Sequence, residues 1–228
     1  MTRVEMIKQV ANDMQGYWGI LCSAFGIHPE FDVMSAAHAT SVRAVDLINS
    51  GLLSRAEALE TAIVSAQQTA ENCFVATTTH IIKGGDKFEY NSRVVFNLEI
   101  LEIMLTLDDI PKVLEYLKLM MHHEFGHCIV YANLAKQCKT TSAFVKKLDE
   151  RSEVYAEEYN RFEEYAKNNK TLKDALVYYH TNISEEHEAN AAMNVNISRL
   201  ADLDVKFKEM MDSTTQKIPS IKDVVIKK

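Results

Sequence analysis

Helix breakers are scarce in this chain, with seven glycines and three prolines among 228 residues. That scarcity excludes a loop-rich or collagen-like architecture and predicts long helices. The four cysteines, Cys22, Cys73, Cys128 and Cys138, include no C-x-x-C pair. So sparse a set builds no disulfide framework and reads as reduced thiols. No apolar run approaches the ~18 residues of a membrane span. The first residues, MTRVEMIKQVANDMQ, lack the apolar stretch of a secretory signal. Basic clusters are missing too, beyond Lys227-Lys228, and the formal net charge is −7. Phosphate backbones need grouped Lys and Arg, which excludes nucleic acid as the main partner. These absences lead to the expectation of a cytoplasmic protein, of a host cell or virus-encoded, with no membrane partner.

What is present suits a folded domain. Hydrophobic residues make up 47% and charged residues 25%, and the length is enough to bury a core. Helical apolar spacing runs over 4–24, at Val4, Ile7, Val10, Met14, Trp18 and Leu21. A second helix is predicted over 32–50, with Asp32 as N-cap and Gly51 past its end. A third is predicted over 54–71, where Ser54 and Glu57 form a capping-box pattern. The texture then changes. CFVATTTHII at 73–82, KGGDK at 83–87 and FEYNSRVVFNLEI at 88–100 predict a β-hairpin, the one strand region expected. Helix returns at Asp108-Asp109, with Pro111 near its first turn, and runs through Leu134. An acidic helix is predicted over 141–168, and helix again over 171–213 with an interruption near Thr181-Asn182. The fold class is α+β, predominantly helical, with one small sheet. Its expected divisions are an N-terminal helical layer at 1–72, a main domain at 73–214 and a tail at 215–228.

The main domain carries MHHEFGHCIV at 121–130, and His123-Glu124-Phe125-Gly126-His127 spells H-E-x-x-H. On a helix, His123 and His127 share one face and can hold a single Zn²⁺. Glu124 projects about 100° away, close enough to take a proton from water acidified by the metal. Gly126 leaves room beside the second histidine, as a closely approaching substrate backbone would need. The motif sits among Leu117, Leu119, Met120, Met121, Cys128, Ile129 and Val130. Titratable groups inside so apolar a helix cost several kcal/mol unless something pairs with them, and a metal supplies that pairing. His122 faces elsewhere and reads as a packing or supporting residue.

A catalytic zinc keeps three protein ligands and one open position. Downstream, SEEHEANAAM at 184–193 contains Glu186-His187-Glu188-Ala189-Asn190, which spells E-x-x-A-N. Ser184 can cap this helix, which puts Glu186 in its first turn. Asn190 follows one turn later on the same face, where its amide can hold the outer nitrogen of a ligand histidine. Ala189, Ala191 and Ala192 are small enough for two helices to pass closely. Together, HEFGH and E-x-x-A-N resemble the gluzincin class of zinc metallopeptidases, most nearly the ImmA/IrrE-like group. The resemblance implies a mainly helical zincin-like domain with a small sheet beside the active-site helix. It also implies His123, His127 and Glu186 as ligands, Glu124 as general base and a peptide or protein substrate. It covers two motifs and the element order, not the first 70 residues. The 59 positions from His127 to Glu186 exceed the spacing expected of the group, which would make the 141–168 helix an insertion.

Other candidates stay open. Glu153, in E-x-x-A-E at 153–157, is an alternative metal ligand, and Glu185, His187 and Glu188 flank the favoured carboxylate. The remaining acids of 141–168 read as a solvated helix face. Tyr178, Tyr179 and His180 are candidate oxyanion or substrate contacts. Tyr131 is a weaker one. Val94-Val95-Phe96-Asn97-Leu98 offers a candidate strand edge for an extended substrate. His28, His38 and His80 read as structural. The alternative to hydrolysis is a zincin-shaped binding or structural protein that holds zinc with little turnover.

Overall fold

The computed structural model describes residues 2–35, 75–84, 87–107, 110–168 and 171–213, with isolated positions between 38 and 48. The predicted helix at 54–71, the Asp108-Asp109 cap, the tip of the hairpin turn and the tail lie outside the described residues. The described elements are α1 (Arg3–Phe25), β1 (Glu30–Met34), β2 (Val75–Gly84), β3 (Lys87–Asn97), α2 (Leu98–Leu107), α3 (Ile110–Lys136), α4 (Thr141–Lys167), α5 (Leu172–Asn182), α6 (Ser184–Ala192) and α7 (Ile197–Ser213). The described residues are predominantly helical, with one small sheet among them. No helix among the described residues is long and apolar enough to cross a membrane.

Contacts divide the chain into two units, and the described residues up to Leu114 belong to the first. Thr2 opens α1 with a capping box to Glu5, and Gly26 closes it in the left-handed region at φ 67°. Val10, Met14, Trp18 and Leu21 form its buried stripe, as their spacing predicts. Trp18 donates from Nε1 to the Pro29 carbonyl at 2.9 Å and stacks on Phe31. Phe31 in turn meets Phe96.

The strands differ from expectation in two places. Residues 30–34, partly assigned to a second helix, form β1, so Asp32 lies inside a strand and caps nothing. Strand order is β1-β3-β2, with β1 parallel and β2 antiparallel to β3. Along 93–96, β3 is therefore the central strand, paired on both sides, and offers no edge to a substrate. Residues 98–100 begin α2 rather than continuing the strand, and Asn97 Oδ1 accepts the Glu99 N–H at 2.9 Å. Arg93 reaches Glu30 across the parallel pair, with Nε donating at 2.8 Å.

The second unit spans Glu115–Ser213. On α3, Leu117, Met121, Phe125 and Cys128 are buried at successive turns. Every residue of 121–128 except His122 is buried, so this stretch is enclosed on all sides. Helix α4 packs on α5 and α6, and α5 also packs on α6 and α7. The expected interruption near 181–182 falls at Ile183, fully buried, with extended backbone at φ −86° and ψ 118°.

Candidate metal centre

Enclosure on all sides makes the polar residues of α3 expensive, and the second unit meets that expense with partners from α5, α6 and α7. His123 and His127, one turn apart, bring their Nε2 atoms to 3.3 Å. Glu186, in the first turn of α6, sets Oε2 at 3.1 Å from His123 Nε2 and 3.7 Å from His127 Nε2. From the last turn of α5, His180 places Nδ1 at 3.6 Å from the same oxygen. His123, His180 and Glu186 form a buried cluster that could hold a metal ion. Imidazole nitrogens with one carboxylate oxygen are the donors that zinc and similar divalent transition metals take.

Each of these groups is held from behind. Asn190 Oδ1 lies 2.9 Å from His123 Nδ1, so that nitrogen donates and Nε2 is the atom left to face Glu186 or a metal. The Asn190 amide also donates to the His180 carbonyl at 3.4 Å, tying α6 to the end of α5. Tyr179 donates to Glu186 Oε1 at 2.9 Å, and the Tyr155 hydroxyl of α4 sits 3.1 Å from the Tyr179 hydroxyl. Burial, then the Glu186 charge, pushes the Tyr179 phenol well above its ordinary range, so it stays a neutral donor. His180 Nε2 lies 3.3 Å from Asp204 Oδ2 on α7, and Tyr116 donates to Asp204 Oδ1 at 3.1 Å.

Charge follows the geometry. Burial works against a charged His123, but its hydrogen bond to Glu186 and the charges of Glu186 and Glu124 raise it to about 9. Burial would likewise push Glu186 up, but the facing imidazoles of His123, His127 and His180 outweigh it and hold the carboxyl well below its usual range. In the absence of a metal, a proton on His123 compensates the Glu186 carboxylate.

Two helices must come very close for this to happen. A Cβ on Gly126 would sit 2.1 Å from the Ala189 carbonyl oxygen. The room that Gly126 leaves is thus filled by the backbone of α6, not kept for a substrate. Ala189 is fully buried at this contact. Ser184, read as the cap of α6, is already inside the helix, and the side chain of Ile183 at the cap position has no acceptor for the first-turn N–H groups. The carboxylate of Glu158 on α4 supplies one instead. It takes the Ser184 N–H at 2.7 Å and the Ser184 hydroxyl at 2.6 Å. Arg151 of α4 also pairs with Glu188 at 2.8 Å. The acidic helix is therefore not only a solvated face.

The other sequence-derived candidates fall as follows. Glu124 is buried at 7% exposure, and its charge acts on His123. Glu153 is exposed on α4 and does not join the buried cluster. Glu185 accepts from the Tyr131 hydroxyl, and burial raises its pKa. His187 and Glu188 do not join the donor cluster. Tyr178 stacks on Tyr165, with ring centroids 4.1 Å apart. His122 is half-buried, and burial lowers its pKa. Nothing in the sequence marked Asp204, Tyr116 or Tyr155 as site residues, and His180, a candidate oxyanion or substrate contact, instead joins the donor cluster. A cavity of about 400 Å³, lined in part by Arg151, Tyr155, Glu158 and Glu185, adjoins these residues. No family model, curated protein or solved structure matches the chain.

Proposed function

We propose that this chain is a zinc-dependent, zincin-like peptidase with His123, His127 and Glu186 as ligands and Glu124 as general base. The observation that carries the reading is the meeting of two Nε2 atoms and one Oε2 atom within 3.1–3.7 Å in a buried setting. Zinc in such a set polarises a carbonyl and makes water acidic near neutral pH. The chain's residues do the rest. Asn190 fixes the His123 ring, and Tyr179 steadies the Glu186 carboxylate. Glu124, buried next to His123 in sequence, takes a proton from water and passes it to the leaving amine. The substrate class is a peptide or protein, and the sparse cysteines fit a cytoplasmic setting.

A second reading, a metal-binding protein with little turnover, is favoured by one feature. His180 adds a further imidazole beside Glu186, and structural zinc sites take four protein donors. Zinc content and casein cleavage, measured for wild type and Glu124→Gln, separate the two. The peptidase reading expects equal zinc and at least ~100-fold slower cleavage by the variant. Equal cleavage by both forms would remove it. Full zinc occupancy with no cleavage by wild type on casein or a peptide library would leave the second reading.

A further inference from the structure

His180 repeats, on another helix, the arrangement seen at His123. Its outer nitrogen, Nε2, faces the Asp204 carboxylate at 3.3 Å, and the Tyr116 hydroxyl holds that carboxylate's other oxygen. In a neutral ring, an Nε2–H donating to Asp204 leaves a lone pair on Nδ1. Nδ1 is buried, makes no hydrogen bond, and points toward Glu186 Oε2 at 3.6 Å. An imidazole whose outer N–H is anchored on a carboxylate, with its inner nitrogen unsatisfied, is the form metal-ligating histidines take.

The backbone has been broken to make this possible. In an unbroken helix, residues 180 and 186 would lie about 120° apart around the axis and about 9 Å along it. The extended residue Ile183 ends α5 and starts α6 afresh, which folds the last turn of one onto the first turn of the other. The spacing agrees in four of the six donor pairs. Four donors at ~2.0–2.1 Å from one tetrahedral zinc stand about 3.3 Å from one another. Four of the donor separations in this cluster are 3.3, 3.1, 3.7 and 3.6 Å.

We propose that His180 Nδ1 is a fourth protein donor to the same ion, so that three imidazoles and one carboxylate hold it. Asp204 and Tyr116 are then positioning residues that fix the tautomer and aim of His180. The inference rests on the metal-binding half of the proposed function and not on hydrolysis, which with four protein donors would need water as a fifth ligand.

The test is X-ray absorption of the zinc-loaded wild-type full chain, which counts imidazoles by their outer-shell scattering. Three imidazoles are expected. His180→Ala should reduce the count to two and weaken zinc affinity at least ~10-fold, and Asp204→Asn should weaken it ~10–100-fold with the count kept at three. Two imidazoles in wild type would overturn the proposal and leave His123, His127 and Glu186 standing as ligands. Wild type that takes up no zinc would overturn this proposal and the proposed function together. The wild-type count is independent of whether either variant folds.

Discussion

His123 is the residue whose protonation decides how the metal-free site behaves. Its pKa is raised to about 9 by Glu186, against an ordinary value near 6.5. A raised histidine stabilises the fold fully below the unfolded value, and that contribution is lost as pH rises through the folded one. The metal-free protein should therefore lose stability between pH ~6.5 and ~9, read as a falling melting temperature. Metal must displace the His123 proton, so zinc affinity should rise over that same window. Calorimetry at pH 7 in buffers of different ionisation enthalpy should detect about one proton released per zinc bound. Opposite slopes for stability and affinity are the signature, and parallel slopes would contradict the His123–Glu186 pairing. Tyr179 gives a second test at this scale. Tyr179→Phe removes the donor to Glu186 Oε1 and should weaken zinc binding ~10-fold or more, since hydrogen bonds to charged groups contribute roughly 1.5–3 kcal/mol. An unchanged zinc titration curve would show that Glu186 is held by other means.

Among the elements, the contact between α3 and α6 matters most. Gly126→Ala would force a methyl to within 2.1 Å of the Ala189 carbonyl oxygen, and backbone cannot yield as a flexible side chain can. We expect a loss of roughly 1–3 kcal/mol or more by urea unfolding, together with failure to bind zinc because His123 and Glu186 part. Glu158→Gln keeps the shape of the α6 cap and removes its charge, and should cost about 1 kcal/mol by the same measurement. The elements also mark what sequence could reveal. His123, His127, Glu186 and Asn190 are legible because helical periodicity alone puts 123 beside 127 and 186 beside 190. The cluster of His180 and Asp204 is not, because it depends on a break at Ile183 and on α7 folding back against α5. Strand β1 was hidden for a similar reason. EFDVM is short and carries an acid at each of two positions, and only pairing with Arg93–Asn97 makes it a strand. The close approach of α6 explains a glycine that sequence assigned to a substrate.

At the scale of the whole molecule, metal removal is the broadest probe. A ligand bound only by the folded state stabilises it by RT ln(1 + [L]/Kd), about 4 kcal/mol at a thousandfold excess over Kd. Chelation should thus lower the melting temperature of Glu115–Ser213, the unit that holds all the donors. Melting curves that coincide with and without chelator would count against metal binding at this site. The span between His127 and Glu186 has a further consequence. An ion gripping both would turn the intervening chain, all of α4 included, into a covalent-like ring closed by coordination. Rings of that size restrain an unfolded chain by roughly 4 kcal/mol when a disulfide makes the closure. Amide protons along α4, whose backbone includes no ligand, should then exchange in step with those flanking the histidines once zinc is added. The helix that looks most like an addition to the domain would be the one the ion encircles.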